Sequence, residues 1–235
     1  MSVPALPARS VILSVLLGSH PPELPVRTLV RTVGLFGISD GTARVALSRL
    51  AADGDVISDG GVYRLSERHL ARQRAQDAAV RPGTRPWEGA WELLTGPPST
   101  PSPAEPVAIA RRMARLGTGV WVRPDNLTPP FPELPPGAVV WVGRPAAGSI
   151  EPADRLWDLA GWAGRADDLM ASLDAAETPA ERLAVAAAMV RHMRDDPLLP
   201  APLLPPSWPG GALRQAYDAY RGELGELIEG LRSAR

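Results

Sequence analysis

The order of helical and strand patterns in the first 65 residues restricts the chain to few folds. Apolar residues recur at helical spacing in three segments bounded by glycine and proline: Arg9–Leu17, Pro25–Phe36, and a third from the N-cap residue Ser39 to about Asp53. Two alternating segments, Asp55–Ser58 and Val62–Leu65, then flank the turn Asp59-Gly60-Gly61. The order helix, helix, turn, helix and β-hairpin predicts a winged helix-turn-helix domain over residues 1–66.

The third helix has two faces of different chemistry. Its apolar face must pack inward and consists of Ala43, Ala46, Leu47 and Leu50. The opposite face carries small, polar and cationic residues: Gly41, Thr42, Arg44, Val45, Ser48 and Arg49. Small residues permit close approach to DNA, a guanidinium can bind guanine O6 and N7, and valine or threonine can contact a thymine methyl group. The alternative interpretation is an ordinary solvated helix with two exposed arginines.

We therefore predict a DNA-binding surface centred on this helix. Arg44 and Arg49 are the candidates for base or phosphate contacts, with Thr42, Val45 and Ser48 lining the groove. The candidates for contacts to backbone phosphates are Arg27, Arg31 and Arg64.

The distribution of charge agrees with this prediction. The whole chain has a net charge of −1, which argues against a polybasic protein that coats nucleic acid without specificity. Residues 1–85 nevertheless contain 11 arginines and 7 acidic residues, whereas residues 86–235 contain 14 arginines and 19 acidic residues. A basic N-terminal third and an acidic remainder indicate polyanion contact in the first part and regulation or assembly in the second.

The remaining sequence predicts three further segments. Residues 67–86 form a connecting helix, Glu67–Val80, and a linker. Residues 87–150 form a small α+β domain with these predicted elements: strand Trp91–Leu94, loop Gly96–Pro106, helix Val107–Leu116, and strands Val120–Arg123 and Ala138–Val142. Residues 151–235 form a helical domain with helices Ala153–Ala176, Pro179–Arg194 and Ala212–Leu231, and a proline-rich interruption, Asp196–Gly211, that we expect to be non-helical. The predicted fold class is α+β and mostly helical.

Composition argues against most kinds of catalytic site. The absence of cysteine and lysine excludes thiol nucleophiles, zinc–thiolate sites, Schiff-base lysines and P-loop lysines. His20 lies in a proline-bounded loop and His69 on a polar helix. His192 with Asp195 or Asp196 has a loosely metal-like spacing, but a helix end rich in charge explains it better. A paired-carboxylate interpretation of Glu88 and Glu92 is weaker than a structural one. We expect no catalytic residues, no metal and no cofactor, so the protein is predicted not to be an enzyme. The apolar run Val11–Leu17 is too short to span a membrane, and we expect a cytoplasmic protein.

Several separated motifs resemble the PaaX family of bacterial transcriptional regulators. In the N-terminal domain they are Phe36-Gly37-Ile38, Arg44-x-Ala46-Leu47-Ser48-Arg49-Leu50 and Asp53-Gly54. Further along the chain they are Trp87-Glu88-Gly89-x-Trp91, Gly119-Val120-Trp121-Val122-Arg123-Pro124 and Leu156-Trp157-Asp158-Leu159. The most specific match is Asp196-Pro197-Leu198-Leu199-Pro200, followed by Leu203-Leu204-Pro205 and Trp208-Pro209-Gly210.

The resemblance implies a winged helix, a central ferredoxin-like domain and a helical C-terminal domain, acting as a dimer. It also implies repression that is released by an aryl-CoA thioester. This chain departs from the family in its short acidic hairpin, Ser58-Asp59-Gly60-Gly61, and in a shortened middle domain. The middle fold also resembles a small CRISPR-associated nuclease, but no aspartate follows its first strand, which argues against nuclease activity.

Together, the residues and the resemblance predict a sequence-specific DNA-binding transcriptional regulator. We expect a homodimeric repressor that binds double-stranded DNA and is released by a small-molecule effector, an acyl-CoA or aromatic compound. Trp91, Trp121 and Trp141 are the candidates for lining the effector site, the alternative being that they are core residues. The alternative function is a small-molecule-binding protein or a protein–protein adaptor that retains a winged helix without operator binding.

Overall fold

The computed structural model describes residues 6–128, 131–146, 148 and 153–233. The chain divides into two compact units that are discontinuous in sequence. The first unit comprises the described residues of Met1–Val80, Ala166–Arg194 and Gly211–Arg235. The second comprises those of Arg81–Arg165 and Asp195–Gly210. The fold is α+β, with helical N- and C-terminal regions and two small antiparallel sheets.

The first unit begins with the elements of a winged helix. They are α1 (Ala8–Gly18), β1 (Glu23–Pro25), α2 (Val26–Gly34), α3 (Asp40–Ala52), β2 (Val56–Asp59) and β3 (Val62–Leu65). The strands form an antiparallel sheet in the order β1-β3-β2. The core between the helices is built from fully buried aliphatic side chains, among them Ile12, Leu16, Leu29, Leu47 and Leu50. Their burial follows from the helical spacing of apolar residues in each segment.

Three long helices belong to the same unit: α4 (Glu67–Val80), α8 (Pro179–Arg194) and α9 (Gly210–Ser233). A buried amide connects α4 to the end of α1, where helix carbonyls lack intrahelical partners. Gln73 Nε2 donates to the carbonyl oxygens of Leu17, at 2.9 Å, and Ser19, at 3.0 Å. Helices from both ends of the sequence therefore pack in one unit.

The second unit contains a four-stranded antiparallel sheet. Its elements are β4 (Trp91–Thr95), α5 (Glu105–Ala110), β5 (Ala114–Gly117), β6 (Val120–Pro124) and β7 (Val139–Gly143), and the strand order is β5-β6-β4-β7. This order, with α5 crossing between β4 and β5, is the ferredoxin-like arrangement. In the described residues between β6 and β7 there is no helix, so the second crossover helix of that arrangement is not seen there. The core under α5 consists of Leu94, Ala104, Ala108 and Trp121.

The predicted helix Val107–Leu116 is wrong at both ends. Helix α5 begins at Glu105 and ends at Ala110, and Ala114–Gly117 is a strand that pairs with β6. Arg112 has a φ of 57°, a left-handed conformation that an α-helix cannot contain. The pairing with β6 therefore overrides the helical pattern of the segment.

The C-terminal helices also differ from prediction. The predicted helix Ala153–Ala176 is two helices, α6 (Ala153–Leu156) and α7 (Leu159–Asp174). Asp158 causes the break, because its Oδ1 accepts a hydrogen bond from the Gly161 backbone N–H at 2.9 Å, as an N-cap does. The interruption Asp196–Gly211, expected to be non-helical, contains a short 3₁₀ helix, Ala201–Leu203.

Helices that could cross a membrane would need about 20 apolar residues. None of the helices in the described part of the chain combines that length with sufficient apolarity.

Candidate nucleic-acid interface

Helix α3 has well-defined ends. Ser39 is extended, and its hydroxyl accepts a hydrogen bond from the Thr42 N–H at 3.3 Å, as an N-cap does. At the other end Asp53 is the C-cap, and Gly54 follows it with a φ of +70°, which favours glycine. These caps specify where the helix starts and ends, so it contains the residues from which its apolar and polar faces were predicted.

The apolar face of α3 is inside and the polar face is outside. Ala43, Leu47 and Leu50 are buried. The candidate DNA contacts on the other face are all exposed in the structure: Thr42, Arg44, Val45, Ser48 and Arg49. Val45 has 52% of its surface exposed, although exposure of an aliphatic side chain of this size is unfavourable. An accessible surface of small residues and two guanidinium groups has the chemistry needed to enter a major groove.

Two of these side chains have partners within α3. Arg44 Nε donates to Asp40 Oδ2 at 3.2 Å, and both side chains are largely exposed. An ion pair so exposed contributes little stability, so Arg44 can exchange it for another acceptor at small cost. The Thr42 hydroxyl is 2.8 Å from the Ser39 hydroxyl, so it also takes part in the helix cap.

The three candidate phosphate contacts lie on different elements. Arg27 is exposed at the start of α2, and Arg64 is exposed on β3, directly opposite Glu23 of β1. Arg31 lies in the last turn of α2, where its Nη1 donates to the Leu231 carbonyl oxygen of α9 at 3.3 Å. Arg31 therefore also connects the winged helix to a C-terminal helix of the same unit.

The hairpin between β2 and β3 is short and acidic. Asp59 pairs with Val62, and Gly60 and Gly61 between them have φ values of 54° and 81°. Positive φ at both central residues is typical of a type I′ turn, which explains the need for two glycines. The Gly61 carbonyl accepts a hydrogen bond from the Val26 N–H at 2.8 Å, so the tip of the hairpin is attached to the start of α2. This wing brings an acidic side chain and no arginine to its tip.

A buried carboxylate lies directly after α3, and the sequence reasoning did not identify it. Asp55 is fully buried and accepts hydrogen bonds or ion pairs from Arg9, Arg68 and His69, the last from Nε2 at 2.9 Å. Burial lowers the pKa of His69, and the neighbouring Arg68, Arg72 and Arg9 lower it further. The cluster joins α1 and α4 to the point where β2 begins. The signal in the sequence was Asp53-Gly54-Asp55 directly after the third helix, where Asp55 begins the predicted strand Asp55–Ser58.

The three tryptophans predicted to line an effector site are not brought together. Trp121 is 3% exposed and belongs to the core under α5, whereas Trp141 is 64% exposed. In the sheet register Leu94 is opposite Trp121, while Leu93 is opposite Trp141. Neighbouring residues of a strand face opposite sides, so Trp121 and Trp141 lie on different faces of the sheet. Trp91 is on the Trp141 face and contacts Trp87 edge-on, with ring centroids 5.9 Å apart.

The second unit contains a buried arginine, Arg123, which is 0% exposed. Its Nε donates to the Pro124 carbonyl at 3.0 Å, its Nη2 donates to Asn126 Oδ1 at 2.8 Å, and its Nη1 donates to the Arg111 carbonyl. Glu92 is opposite Arg123 on β4, and its Oε2 is 3.8 Å from Arg123 Nε. Burial lowers the pKa of Arg123 and raises the pKa of Glu92. Sequence reasoning missed this network, although Asn126 is the single asparagine of the chain.

This network holds the segment Asp196–Pro200. Leu198 has a φ of 51°, which costs energy for a residue with a side chain. Its N–H donates to Asp196 Oδ1 at 2.8 Å, and its carbonyl accepts from Asn126 Nδ2 at 3.0 Å and Arg123 Nη2 at 3.4 Å. The proline-rich motif is thus a structural element of the second unit.

Asp55 and His69 are in contact and are both residue types that bind metals, but a protein metal site needs at least three such ligands. Groups of three or more such side chains positioned to hold a metal are not found among the residues that the structure describes.

Comparison with known proteins agrees with this architecture. The family described as PaaX-like protein matches residues 7–69, and the PaaX-like protein C-terminal domain matches residues 159–229. A similar solved structure is the uncharacterized protein Rv0674 from Mycobacterium tuberculosis, which is 40% identical in sequence. The match covers 96% of this chain and 99% of that chain, with a TM-score of 0.82. No curated protein matches the chain.

Proposed function

The chain belongs to the PaaX-like family, and we propose that it is a sequence-specific DNA-binding transcriptional regulator whose helix α3 enters the major groove. The observation that carries the proposal is the capped α3, with its apolar face buried and a face of small residues and arginines exposed. A helix of this kind within a winged helix-turn-helix is the element that reads base edges in such domains.

The proposed contacts follow from side-chain chemistry. Arg44 and Arg49 bind guanine O6 and N7 or phosphate, and Val45 contacts a thymine methyl group. Thr42 and Ser48 supply hydroxyl groups along the groove. Contacts to backbone phosphates come from Arg27, Arg31 and Arg64, which fix the register without reading sequence. Since the wing tip is acidic and attached to α2, it adds little to the affinity.

We further propose that the regulator is a homodimer. Strand β7 lies at the edge of its sheet and has an exposed apolar surface, with Val139, Trp141 and Val142 all exposed. Unpaired backbone groups and apolar side chains at a sheet edge favour pairing with another strand. A second copy of β7 is the occupant that we propose, because antiparallel pairing of identical edges is two-fold symmetric. Operator half-sites are then separated by about 10–10.5 bp or a multiple.

The remaining features of the proposal follow from family resemblance. The regulator acts as a repressor, is released by a small-molecule effector such as an acyl-CoA or aryl-CoA thioester, and is not an enzyme. A mobility-shift assay on the promoter DNA of its own gene, with and without benzoyl-CoA, tests repression release directly.

The main test is DNA affinity of the full chain. We expect Arg44→Ala and Arg49→Ala each to weaken binding to a selected site by about 1–3 kcal/mol if they contact bases. The matched control is Arg115→Ala, an exposed arginine on β5 of the second unit, which should leave affinity unchanged. If the folded protein binds no DNA even at low salt, where phosphate contacts are strongest, the adaptor or small-molecule-binding function replaces this proposal.

The dimer has a separate test by light scattering. We expect Trp141→Glu to produce a monomer, because charge at a paired apolar edge is unfavourable. The control is Ile109→Glu, an exposed apolar position on α5. A wild-type monomer at micromolar concentration contradicts the proposed dimer.

A further inference from the structure

The first unit contains a cavity of about 160 Å³ among α1, α4, α8 and α9. Its lining includes apolar side chains from α1 and α8, among them Leu13, Leu17, Leu183 and Val190. It also includes four arginines, Arg72, Arg191, Arg194 and Arg221. None of the described residues that line it is acidic. A lining with both apolar and cationic residues matches a ligand that has an apolar part and an anionic part.

Among the described residues, three of the four arginines that line the cavity have no carboxylate partner. Arg221 is paired with Asp218, at 3.4 Å, and with Asp77, at 3.8 Å. Within the described part of the chain, no ion pair involves Arg72, Arg191 or Arg194. Arg72, Arg191 and Arg194 are all exposed to solvent. Partial burial lowers the pKa of Arg72, and the charges of Arg194 and Arg191 lower it further, so the three guanidinium groups lie close enough to interact. An anion is attracted by all three groups, with an energy that solvent and salt reduce.

A second observation concerns Tyr220, which also lines the cavity. It is 7% exposed, and its hydroxyl has no hydrogen-bond partner among the residues that the structure describes. Buried tyrosine hydroxyls usually have one, since leaving such a group unpaired costs about 1–3 kcal/mol. Burial also raises the pKa of Tyr220 above the ordinary tyrosine value, so the hydroxyl remains a proton donor at neutral pH. The cavity lining therefore includes a buried hydrogen-bond donor, and the charged side chains nearest to it are Arg182 and Glu223.

We propose that this cavity binds a small carboxylate with an apolar body, held by Arg72, Arg191 and Arg194 and by the Tyr220 hydroxyl. The guanidinium groups bind the carboxylate oxygens, and the body of the ligand packs against Leu183 and Val190. An engineered apolar cavity of about 150 Å³ binds benzene, so a single ring or a short alkyl chain fits this volume. Pockets that enclose drug-sized ligands have about 300–1,000 Å³, so this cavity has room for the acyl or aryl part of a thioester and not for the whole coenzyme.

The position of the cavity gives a route to regulation, and this part rests on the proposed DNA-binding function. Ser10, Leu13 and Leu17 line the cavity from α1, and α1 packs directly against α3. A ligand that binds one orientation of α1 more tightly than another therefore changes the position of α3 and its affinity for DNA. Binding of the carboxylate does not depend on this coupling.

The test is isothermal titration calorimetry of the full chain with benzoate and with hexanoate. We expect both to bind, and Arg191→Ala and Arg194→Ala to weaken binding about tenfold each through loss of charge-assisted hydrogen bonds. Tyr220→Phe should weaken it severalfold without changing the fold. The matched control is Arg232→Ala, an exposed arginine of α9 that does not line the cavity.

A second variant tests binding in the cavity without removing a charge. Ala187→Leu adds volume to the cavity wall at a half-buried position and should abolish binding while the protein remains folded by circular dichroism. Benzyl alcohol, which has the ring without the charge, should bind more weakly than benzoate.

Two outcomes overturn the proposal. One is an absence of heat with either carboxylate, and the other is binding of inorganic phosphate in place of both carboxylates. Titrations with and without DNA distinguish the carboxylate site from the proposed DNA-binding function. If the protein does not bind DNA, benzoate still binds and its isotherm is the same in both titrations. If benzoate binds and DNA affinity does not respond, the site stands and its regulatory role fails.

Discussion

The arginines of α3 and the arginine of β6 are the same side chain in opposite environments. Arg44 and Arg49 are exposed, and Arg44 pairs with an exposed aspartate of its own helix, Asp40. Arg123 is fully buried and donates to three carbonyls and an amide of its own unit, with Glu92 across the sheet. A count of positive charges in the sequence therefore does not identify binding residues. An arginine whose donors are already used holds the fold, and one whose donors are accessible can bind a partner.

The largest effect should come from removing the buried arginine. Arg123→Met leaves Asn126 Oδ1 and the Arg111 carbonyl without this donor, and it leaves Arg111 as the cationic partner of Glu92. Removing one charge from a buried ionic network in this way costs about 3–5 kcal/mol. Urea unfolding followed by tryptophan fluorescence measures it, because all seven tryptophans belong to the second unit. Arg115→Ala on the neighbouring strand should change the unfolding free energy by less than about 0.5 kcal/mol. Equal unfolding midpoints for the two variants would remove the distinction between buried and exposed arginines.

A smaller effect should follow a change that keeps the charge on α3. Arg44→Lys and Arg49→Lys replace a planar fork by a point charge, so bidentate binding to guanine is lost. We expect the preference for the selected site over sites with a changed guanine to decrease by about 1–3 kcal/mol. The affinity for DNA of unrelated sequence should decrease by less. Competition binding with single-base variants of the selected site measures this difference. An unchanged preference would mean that the two arginines contact phosphates only.

Arg27→Ala should have a weaker and sequence-independent effect. A phosphate contact releases counterions, so its removal should reduce the slope of log K against log salt by about 1. The loss of affinity should be the same for selected and unrelated DNA. Fluorescence anisotropy over a salt series measures both, with Arg115→Ala as the control. A loss confined to one sequence would move Arg27 from the phosphate contacts to the base contacts.

The smallest effect is a pH dependence of stability in the first unit. Burial lowers the pKa of His69 in the folded protein below its ordinary 6.5, so the unfolded chain binds a proton first as pH falls. Stability is therefore highest above pH 6.5 and decreases as pH falls below it, until the folded state is protonated too. Thermal unfolding between pH 8 and pH 5.5 should show this decrease, and His69→Gln should reduce it. An equal pH dependence in both proteins would place its origin elsewhere.

Prediction from sequence succeeded where the pattern was local. Helix α3 could be located because Ser39, the apolar spacing of Ala43, Leu47 and Leu50, and Gly54 all act within one segment. The turn Asp59-Gly60-Gly61 was identifiable for the same reason, since positive φ at two successive residues requires glycine in most turns.

Prediction failed where the partner is distant in sequence. Strand β1 has three residues and exists because it pairs with β3, about 40 residues later. Strand β5 was assigned to a helix because its pairing with β6 is not visible in its own spacing. The cavity was not predicted at all, since its lining residues come from four helices separated by up to about 200 positions.

The sequence alone determined the winged helix-turn-helix, the α+β class and the family, because capping, periodicity and turn chemistry act over a few residues. Only the tertiary structure decided the environment of each charge. It buried Asp55 and Arg123, left the arginines of α3 exposed, and gathered Arg72, Arg191 and Arg194 around a cavity without a carboxylate. Burial and the position of counter-charges depend on elements that meet in space, and these set what an ionisable side chain can do.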